Sequence, residues 1–532
     1  MKTLRFALMG GLCWTLFAPS SVQAETRHWI GKDGSWQQSL NWNLNIAEEI
    51  AGTPEAGDNV TIDPSESRDV WLEADTAPIE SLRVMNSSQV LTNGHQLNAE
   101  GAIDVKDATS VVVTPTEDGS PGLVTDRLSQ TGPGTSTVDV RGGHIRIGDE
   151  ISQGADDRII GNGLIEIGSE GSANFVNYGT TRVLPLAGGE RTLTFRVADD
   201  VVLGMGNGEV PQGSFDVDGL WPGETNRHRL VFDGPTTGSF RGELKIGAAD
   251  TAEFTHPWSS IQQTILMNGD GATATLTGAK ATLNGSRIVT RLETFNVIES
   301  ELDMDNAKLE LEPDSKLEFA GPTSIDSDTQ FLVSGDDNTL VFSDVATIRQ
   351  SILKHDFDWS SFDTEVRGGD LTLIVDMISV SDNGYDADLL VEDGSVNMNI
   401  NPDLNDHMGA WQSEGSIELQ SGMLNGNHFV NNGTLSGNGL LNTDGWSNWQ
   451  LIRAEGGTLE LDAIHGRDGN FISRLAPFPH SAVEARFGDV SVLATYVDPQ
   501  FKGRLSVANG HTFSSAQEVI AIAEDAGIVE IN

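Results

Sequence analysis

The sequence predicts an all-β protein, and among all-β folds it favours a parallel β-helix, also called a β-solenoid. Phrases of two or three alternating apolar residues, each followed by Gly, Asn or Asp, recur along most of the 532 residues. Such phrases are typical of short strands bounded by turns. The clearest repeats are 18 to 24 residues apart, which favours stacked coils. Composition agrees, because 59 Gly accompany three Tyr and one Cys, as in turn-rich β proteins. A set of β-sandwich or jelly-roll modules is the alternative.

Residues 1–24 have the three-part layout of a secretory signal peptide. Lys2 and Arg5 supply positive charge, a largely apolar stretch follows, and small residues from Val22 to Ala24 suit a cleavage site. The apolar stretch is too short to span a bilayer. A buried N-terminal helix is the alternative, but the polar segment that follows does not continue an apolar face. We therefore expect cleavage after Ala24 and a secreted, extracellular or cell-surface location.

The predicted mature chain is strongly acidic and free of cysteine. Cys13 is the only cysteine, and large secreted domains do not need disulfides. Loss of Lys2 and Arg5 with the signal peptide changes the formal net charge from −46 to −48. Such a surface repels nucleic acid and anionic membranes, and no later stretch has the length and apolarity of a membrane span. We expect no nucleic-acid partner and no integral membrane segment.

Three tryptophans, Trp29, Trp36 and Trp42, lie between glycine-containing turns at the start of the region 25–100. A solenoid needs an atypical terminal unit to cover its first open coil, and bulky Trp side chains suit that capping role. A second hypothesis makes the same three residues a ligand-binding platform on which sugar rings stack. The first hypothesis predicts buried rings, and the second predicts exposed ones.

The opening segment continues with the motif Pro54-x-x-Gly57-Asp58. With the three preceding tryptophans, this motif resembles the start of large bacterial secreted β-helical proteins, including autotransporter passenger-like and PEP-CTERM-type extracellular proteins. Gly-Thr-Leu repeats and a closing β module at 471–532 add to the resemblance. It implies a secreted β-solenoid with an adhesin-like or structural role.

Repeated phrases carry the solenoid prediction through the middle of the chain. GHIRIG at 143–148 is followed twenty residues later by GLIEIG at 163–168. LDM at 302–304, LEL at 309–311 and LEF at 317–319 give three short strands at spacings of seven and eight. Three strands per coil suit a parallel β-helix, with Leu, Met and Phe directed inward and the acids outward.

The most regular repeats start at positions 415, 433 and 457, with GSIEL, GTLSG and GTLEL. Between them, the segments around Asn431 and Asn438 combine Asn with Gly. Glycine supplies corners with positive φ, and Asn side chains on successive coils can stack on one another. We therefore expect tight Gly corners and Asn stacking in this part of the chain.

These features divide the chain after residue 100 into two parts. The solenoid is assigned to 101–470 and the closing β module to 471–532. Two insertions with irregular loops are expected within the solenoid, near 175–265 and near 343–390. In the first of these, the segment that ends at Trp258 contains His-Pro-Trp and suggests a longer loop.

One short helix is predicted in the second insertion. Ser343 and Asp344 offer an N-cap, and Val345, Ile348 and Ile352 recur at helical spacing. Helix is otherwise scarce in the sequence.

Motifs for catalysis are weak. Asn442-Thr443-Asp444-Gly445 matches a polygalacturonase catalytic phrase, in which paired carboxylates serve as acid and base. The rest of that signature is missing, so we interpret the four residues as a turn. No Gly-x-Ser-x-Gly elbow and no phosphate-binding glycine loop is present.

A polysaccharide lyase would need a basic residue beside carboxylates that hold calcium. Arg367, followed by Asp382, Asp386 and Asp388, is the best local cluster for this chemistry. Calcium takes oxygen ligands from flexible loops, although the spacing does not fit an EF-hand. Arg367 is thus the candidate ligand-binding residue, and the three aspartates are the candidate calcium ligands. A solvated acidic turn is the alternative.

Two functional hypotheses follow from the sequence. The first is a non-catalytic, adhesin-like or extracellular-matrix protein whose surface contacts polysaccharide or other cell-surface components. The second is a secreted polysaccharide lyase or glycoside hydrolase on the same fold. Repetition without one singular polar cluster favours the first hypothesis.

Overall fold

The computed structural model contains β-strands and one 3-10 turn, Ser39–Asn41, and no α-helix among the residues that it describes. The all-β prediction is therefore confirmed. The predicted signal peptide and Cys13 lie outside the described residues. The described residues are 25–43, 52–168, 172–184, 192–198, 201–205, 213–217, 227–335, 337–353, 362–378, 384–385, 388–400, 410–426, 428–463, 474–475, 481–493, 504–515 and 528–531.

The strands are numbered in chain order. The first part contains β1 Thr26–Trp29, β2 Gly34–Ser35, β3 Trp42–Asn43, β4 Asn59–Ile62, β5 Asp69–Trp71, β6 Ser81–Val84, β7 Gln89–Leu91, β8 Leu97–Lys106, β9 Ser110–Val113, β10 Leu123–Thr131, β11 Thr137–Gln153, β12 Arg158–Ile167, β13 Ser172–Asn177, β14 Thr180–Val183, β15 Thr192–Val197 and β16 Val202–Met205. The middle part contains β17 Ser214–Asp216, β18 Arg229–Asp233, β19 Thr236–Gly238, β20 Glu243–Ile246, β21 Thr251–Phe254, β22 Trp258–Ile261, β23 Thr264–Met267, β24 Ala274–Gly278, β25 Ala281–Asn284, β26 Arg287–Thr290, β27 Phe295–Ile298, β28 Leu302–Asp305, β29 Lys308–Leu311, β30 Lys316–Phe319, β31 Thr323–Ile325, β32 Gln330–Val333 and β33 Thr339–Phe342. The last part contains β34 Ala346–Leu353, β35 Asp363–Arg367, β36 Asp370–Ile378, β37 Gly384–Tyr385, β38 Leu389–Glu392, β39 Ser395–Ile400, β40 Ala410–Ser413, β41 Ser416–Gly426, β42 His428–Asn431, β43 Thr434–Thr443, β44 Trp446–Asn448, β45 Leu451–Ala463, β46 Arg474–Leu475, β47 Ala482–Val492, β48 Arg504–Val507, β49 Phe513–Ser515 and β50 Ile528–Ile531.

Parallel pairing joins most of these strands into one large sheet. Through the middle of the chain, a strand pairs with the strand three places later, as in β22, β25, β28, β31 and β34. We call such a series a ladder. Two further ladders run beside it, one through β23, β26, β29 and β32 and one through β24, β27, β30 and β33. Parallel strand character is thus a feature of the fold.

Side chains alternate between a buried and an outward face along each strand. Ile265, Ile288, Leu309 and Phe331 occupy equivalent positions in one ladder, and all four are fully buried. Burial of such a side chain contributes roughly 1.5–3 kcal/mol. The period of two in the sequence therefore places a continuous column of apolar residues on the inner face.

The range 175–265, predicted to hold insertions, supplies strands of the same ladders. Phe195, Phe232 and Phe254 follow one another on β15, β18 and β21, with ring centroids 5.3 and 5.0 Å apart. Trp258, expected in a loop, begins β22 and stacks on Phe254 at 4.1 Å. All four rings are buried, so the described residues of this range belong to the core.

The predicted helix after Asp344 is wrong. Residues Ala346–Leu353 form β34, which pairs in parallel with β36. Ala346 and Ile348 are buried, whereas Val345 is 54% exposed, so the apolar pattern follows the strand period. β-Branched residues fit a pleated surface, and neighbouring strands on both sides supply the backbone partners that decide the outcome.

Glycine corners and Asn stacking are both present near the end of the chain. Gly437 has a φ of 105°, and a Cβ there would lie 2.0 Å from the carbonyl oxygen of Leu419. Only glycine fits such a position. Asn431 Nδ2 donates to Asn448 Oδ1 at 2.8 Å, which confirms stacking of Asn side chains on successive strands.

Candidate functional site

The three predicted tryptophans lie at the start of the large sheet. Trp29 on β1 and Trp42 on β3 face each other across the antiparallel pair, with ring centroids 4.9 Å apart. Trp36 packs edge-on against Trp42 at 4.8 Å, and its carbonyl oxygen accepts a hydrogen bond from Trp42 Nε1. The three residues are at most 3% exposed. Their ring faces are therefore covered by protein, and this burial favours the capping role over sugar stacking.

The Gly57-Asp58 motif has a structural partner beside this cluster. Arg27 Nε donates to Asp58 Oδ2 at 2.9 Å, and both side chains are buried. The backbone N–H of Glu55 donates to the same oxygen. Removing one partner of a buried ion pair leaves an uncompensated charge, so this pair ties the opening motif to β1.

Arg367 lies at the end of β35, where its guanidinium group forms ion pairs. Its Nη2 atom lies 2.5 Å from Glu365 Oε2, and its Nε atom lies 3.8 Å from Glu392 Oε2. Lys316 also contacts Glu365, at 2.7 Å. Arg367 is thus held by one carboxylate on its own strand and one on the neighbouring strand β38.

Asp388, the only candidate calcium ligand within the described residues, makes backbone contacts between strands. Its N–H donates to Asp363 Oδ1 at 2.9 Å, and its own Oδ1 accepts from the N–H of Ser416 at 3.0 Å. Burial raises the pKa of Asp363, as do the charges of Asp388 and Asp337, while the hydrogen bond from Asp388 opposes them. Asp382 and Asp386 lie outside the described residues.

An open groove of about 410 Å³ lies beside Arg367, where two ladders meet in the long strand β41. We call it the acidic groove. It crosses the corners of four successive strands, and Glu392 joins it to Arg367. Its polar lining residues are Glu392, Asp393, Glu418, Gln420, Ser421, Asn438 and Glu455.

Asn438 fixes the shape of the acidic groove. Its Oδ1 atom accepts hydrogen bonds from the N–H and the hydroxyl of Ser421, and its Nδ2 atom donates to the carbonyl oxygen of Glu455. Asp393 and Ser421 have positive φ, at 52° and 61°, because the chain turns sharply there. The neighbouring carboxylates therefore project from corners that are held by hydrogen bonds.

The exposed carboxylates of this groove are hydrogen-bond acceptors. Glu392 and Glu418 are exposed, and Gln420 Nε2 donates to Glu418 at 2.7 Å. Carboxylate oxygens accept from hydroxyl groups and attract cations, and they repel acidic sugars. In the part of the chain that the structure describes, no group of three or more His, Cys, Asp or Glu is placed to hold a metal ion.

Sequence reasoning missed this groove because its residues come from separate strands. Ser421 lies 28 residues after Asp393 and 17 residues before Asn438, and only the strand register brings the three together. An acidic or amide residue beside a positive-φ corner on each of these strands is the sequence signal that would have indicated the groove.

The polygalacturonase-like phrase has a structural role. Asn442 Nδ2 donates to Asn425 Oδ1 at 3.1 Å, and Asn425 Nδ2 donates to Asn397 Oδ1 at 2.9 Å. These three residues stack on β39, β41 and β43. Asn442 and Thr443 are the last residues of β43, and the chain bends only at Asp444, so the interpretation of all four residues as a turn is wrong for the first two.

No helix among the described residues is long and apolar enough to cross a membrane. Comparison of the chain with protein-family models, with curated proteins and with solved structures gives no match. The residues themselves therefore carry the functional interpretation.

Proposed function

We propose that this chain is a secreted or cell-surface β-solenoid without catalytic activity. The observation that carries the proposal is the pairing of each middle strand with the strand three places later. Such pairing is what three strands per coil would produce. Columns of buried residues that continue from strand to strand support the same architecture.

An adhesin-like or structural extracellular role suits the outer face. Cations there pair with carboxylates on a neighbouring strand, as in Arg287 with Glu310, and Lys280 Nζ lies 2.6 Å from Asp303 Oδ2 on β28. Because acidic residues outnumber basic ones by 78 to 32, such pairing leaves a large excess of negative charge. A repetitive acidic surface of this kind resists self-association and offers many equivalent contact points.

The export part of the proposal rests on residues 1–24. Mass spectrometry of the protein from the extracellular fraction is expected to find an N-terminus at Glu25. A mature species that begins at another residue would contradict cleavage after Ala24, and retention inside the cell would contradict export.

The binding part is tested with a polysaccharide array, read with and without calcium, together with an assay for newly formed reducing or unsaturated ends. Binding without release of ends is the expected result. Release that disappears in Arg367→Ala and persists in Arg349→Ala would overturn the proposal in favour of a lyase or hydrolase. Arg349 is a suitable control because it is exposed on β34.

A further inference from the structure

A second groove, of about 490 Å³, crosses the edges of the strands in the region of β14, β17, β20 and β23. It lies far along the chain from the acidic groove. We call it the tyrosine groove, and its side chains are Tyr178, Thr180, Ser214, Glu243, Gln262 and Thr264.

Close approach of the backbone creates this groove. A Cβ at Gly179 would lie 2.2 Å from the carbonyl oxygen of Asp157, and a Cβ at Gly213 would lie 1.8 Å from that of Gly179. Since no Cβ fits at these distances, both positions require glycine. Two successive corners therefore carry no side chain, and the space above them stays open.

A row of polar side chains forms one wall. Thr180, Ser214, Glu243 and Thr264 are register partners on four successive strands. At a strand spacing of about 4.8 Å the row spans roughly 14 Å. It offers three hydroxyl groups and one carboxylate, and the Glu243 carboxylate also lies 3.2 Å from Lys245 Nζ. This composition can both donate hydrogen bonds to sugar hydroxyl groups and accept them.

Tyr178 supplies an exposed aromatic ring at the same groove. Its side chain is 37% exposed, whereas the nearby rings of Phe175 and Phe215 are at most 2% exposed. Aromatic rings with a polar tip are well suited to wet interfaces, and the apolar face of a pyranose ring can pack on such a ring. Tyr178 is thus much more exposed than these neighbouring aromatic residues.

A buried amide holds the glycine floor from behind. Asn177 is fully buried, and its Oδ1 atom accepts from the N–H of Gly179 at 3.0 Å. Its Nδ2 atom has no hydrogen-bond partner among the described residues. Buried polar groups are nearly always satisfied, but Asn177 does not line the groove, so this amide supports the floor and is not counted as a ligand contact.

We propose that the tyrosine groove binds a neutral glycan chain that lies along the stacking direction of the strands. Tyr178 packs on a sugar ring, and the row from Thr180 to Thr264 hydrogen-bonds to hydroxyl groups. Glu243 disfavours an acidic glycan. The inference rests on the proposed function, because it assumes an exported protein that meets polysaccharide.

The test uses the full exported chain with soluble xylan, mannan and dextran as neutral probes and polygalacturonate and alginate as acidic probes. Affinity electrophoresis or calorimetry measures the dissociation constant. A tenfold change in the dissociation constant corresponds to about 1.4 kcal/mol, the size of effect expected when one aromatic contact is lost. We expect Tyr178→Ala to bind at least one neutral probe about tenfold more weakly. Glu243→Gln should also weaken binding, and Tyr178→Phe should retain most of it.

Phe295→Ala is the matched control, because Phe295 has the same exposed fraction, 37%, and lies outside the groove. Its affinity is expected to equal that of the wild type, and melting curves check that all variants fold. Neutral-glycan binding that survives both Tyr178→Ala and Glu243→Gln would overturn the site while leaving the proposed function intact. Binding of the acidic probes alone would overturn the ligand class. A wild-type chain that binds neither kind of probe would overturn the inference and the binding part of the proposed function together.

Discussion

Replacement of Phe232 by Ala tests whether the range 175–265 belongs to the core. Phe232 is 3% exposed, and its ring contacts Phe195, Phe215, Phe240 and Phe254 at centroid distances of 5.0–5.3 Å. A buried Phe→Ala change costs about 3–5 kcal/mol. The upper part of this range is expected here, because four aromatic contacts are lost and stacked strands above and below limit relaxation.

Urea unfolding followed by circular dichroism measures this free energy. Phe487→Ala is the control, because Phe487 lies on a strand but is 60% exposed, and we expect a change of less than about 0.5 kcal/mol. In the solenoid proposed above, local destabilisation can also split the transition into two steps. A Phe232→Ala variant as stable as the Phe487→Ala variant would refute the assignment of this range to the core.

Three further predictions concern individual contacts. The pKa of Glu484 is lowered, since hydrogen bonds and charges from Arg453, Arg504 and Arg486 outweigh the effect of burial. Its contribution to stability is therefore complete above the ordinary pKa of 4.5 and is lost as the pH falls through the lowered value. Thermal melts should show Glu484→Gln less stable than the wild type at pH 7 and a smaller difference between the two proteins in acid. Equal differences at both pH values would contradict this. Gly213→Ala should lower the melting temperature, because the new Cβ meets the backbone of Gly179. Gly510→Ala is the control, because a Cβ there meets no atom within 4 Å, so this variant reports only the strain of a side chain at positive φ. Asn431→Ala should cost about 1–3 kcal/mol in urea unfolding, because it leaves the buried Asn448 amide without its partner, and an unchanged midpoint would show that the stack contributes nothing.

The strand positions were predictable where the sequence alternates cleanly. LDM, LEL and LEF became β28, β29 and β30, because apolar residues two positions apart define a strand face without further information. The helix after Asp344 failed for the opposite reason. Over a short stretch its apolar residues fit both the helical and the strand period. The pairing with β36 that decides between helix and strand is a long-range contact.

The site residues were less accessible to sequence reasoning. The charge of Arg367 makes it a candidate in the sequence, where Glu365 lies only two residues away, but its second ion pair, with Glu392, depends on the strand register that places the two residues side by side. Tyr178 belongs to no sequence motif, and the bare corners beside it come from Gly179 and Gly213, which the register of β14 and β17 brings together. Properties that arise from stacking of distant segments are set by register, and register is not visible in one short phrase.

Disulfide trapping of neighbouring strands tests the parallel register of the fold, since the predicted mature chain has no cysteine of its own. Asn284 and Asp305 are register partners on β25 and β28, and both are exposed. Adjacent strands lie about 4.8 Å apart, within the range that a disulfide can bridge. Asn284→Cys combined with Asp305→Cys should form a cross-link in high yield, found by mass spectrometry of unreduced peptides. Asn284→Cys combined with Glu310→Cys should not, because Glu310 pairs with Val289 instead. Cross-linking of the second pair in preference to the first would contradict the pairing of each strand with the strand three places later, on which the proposed architecture depends.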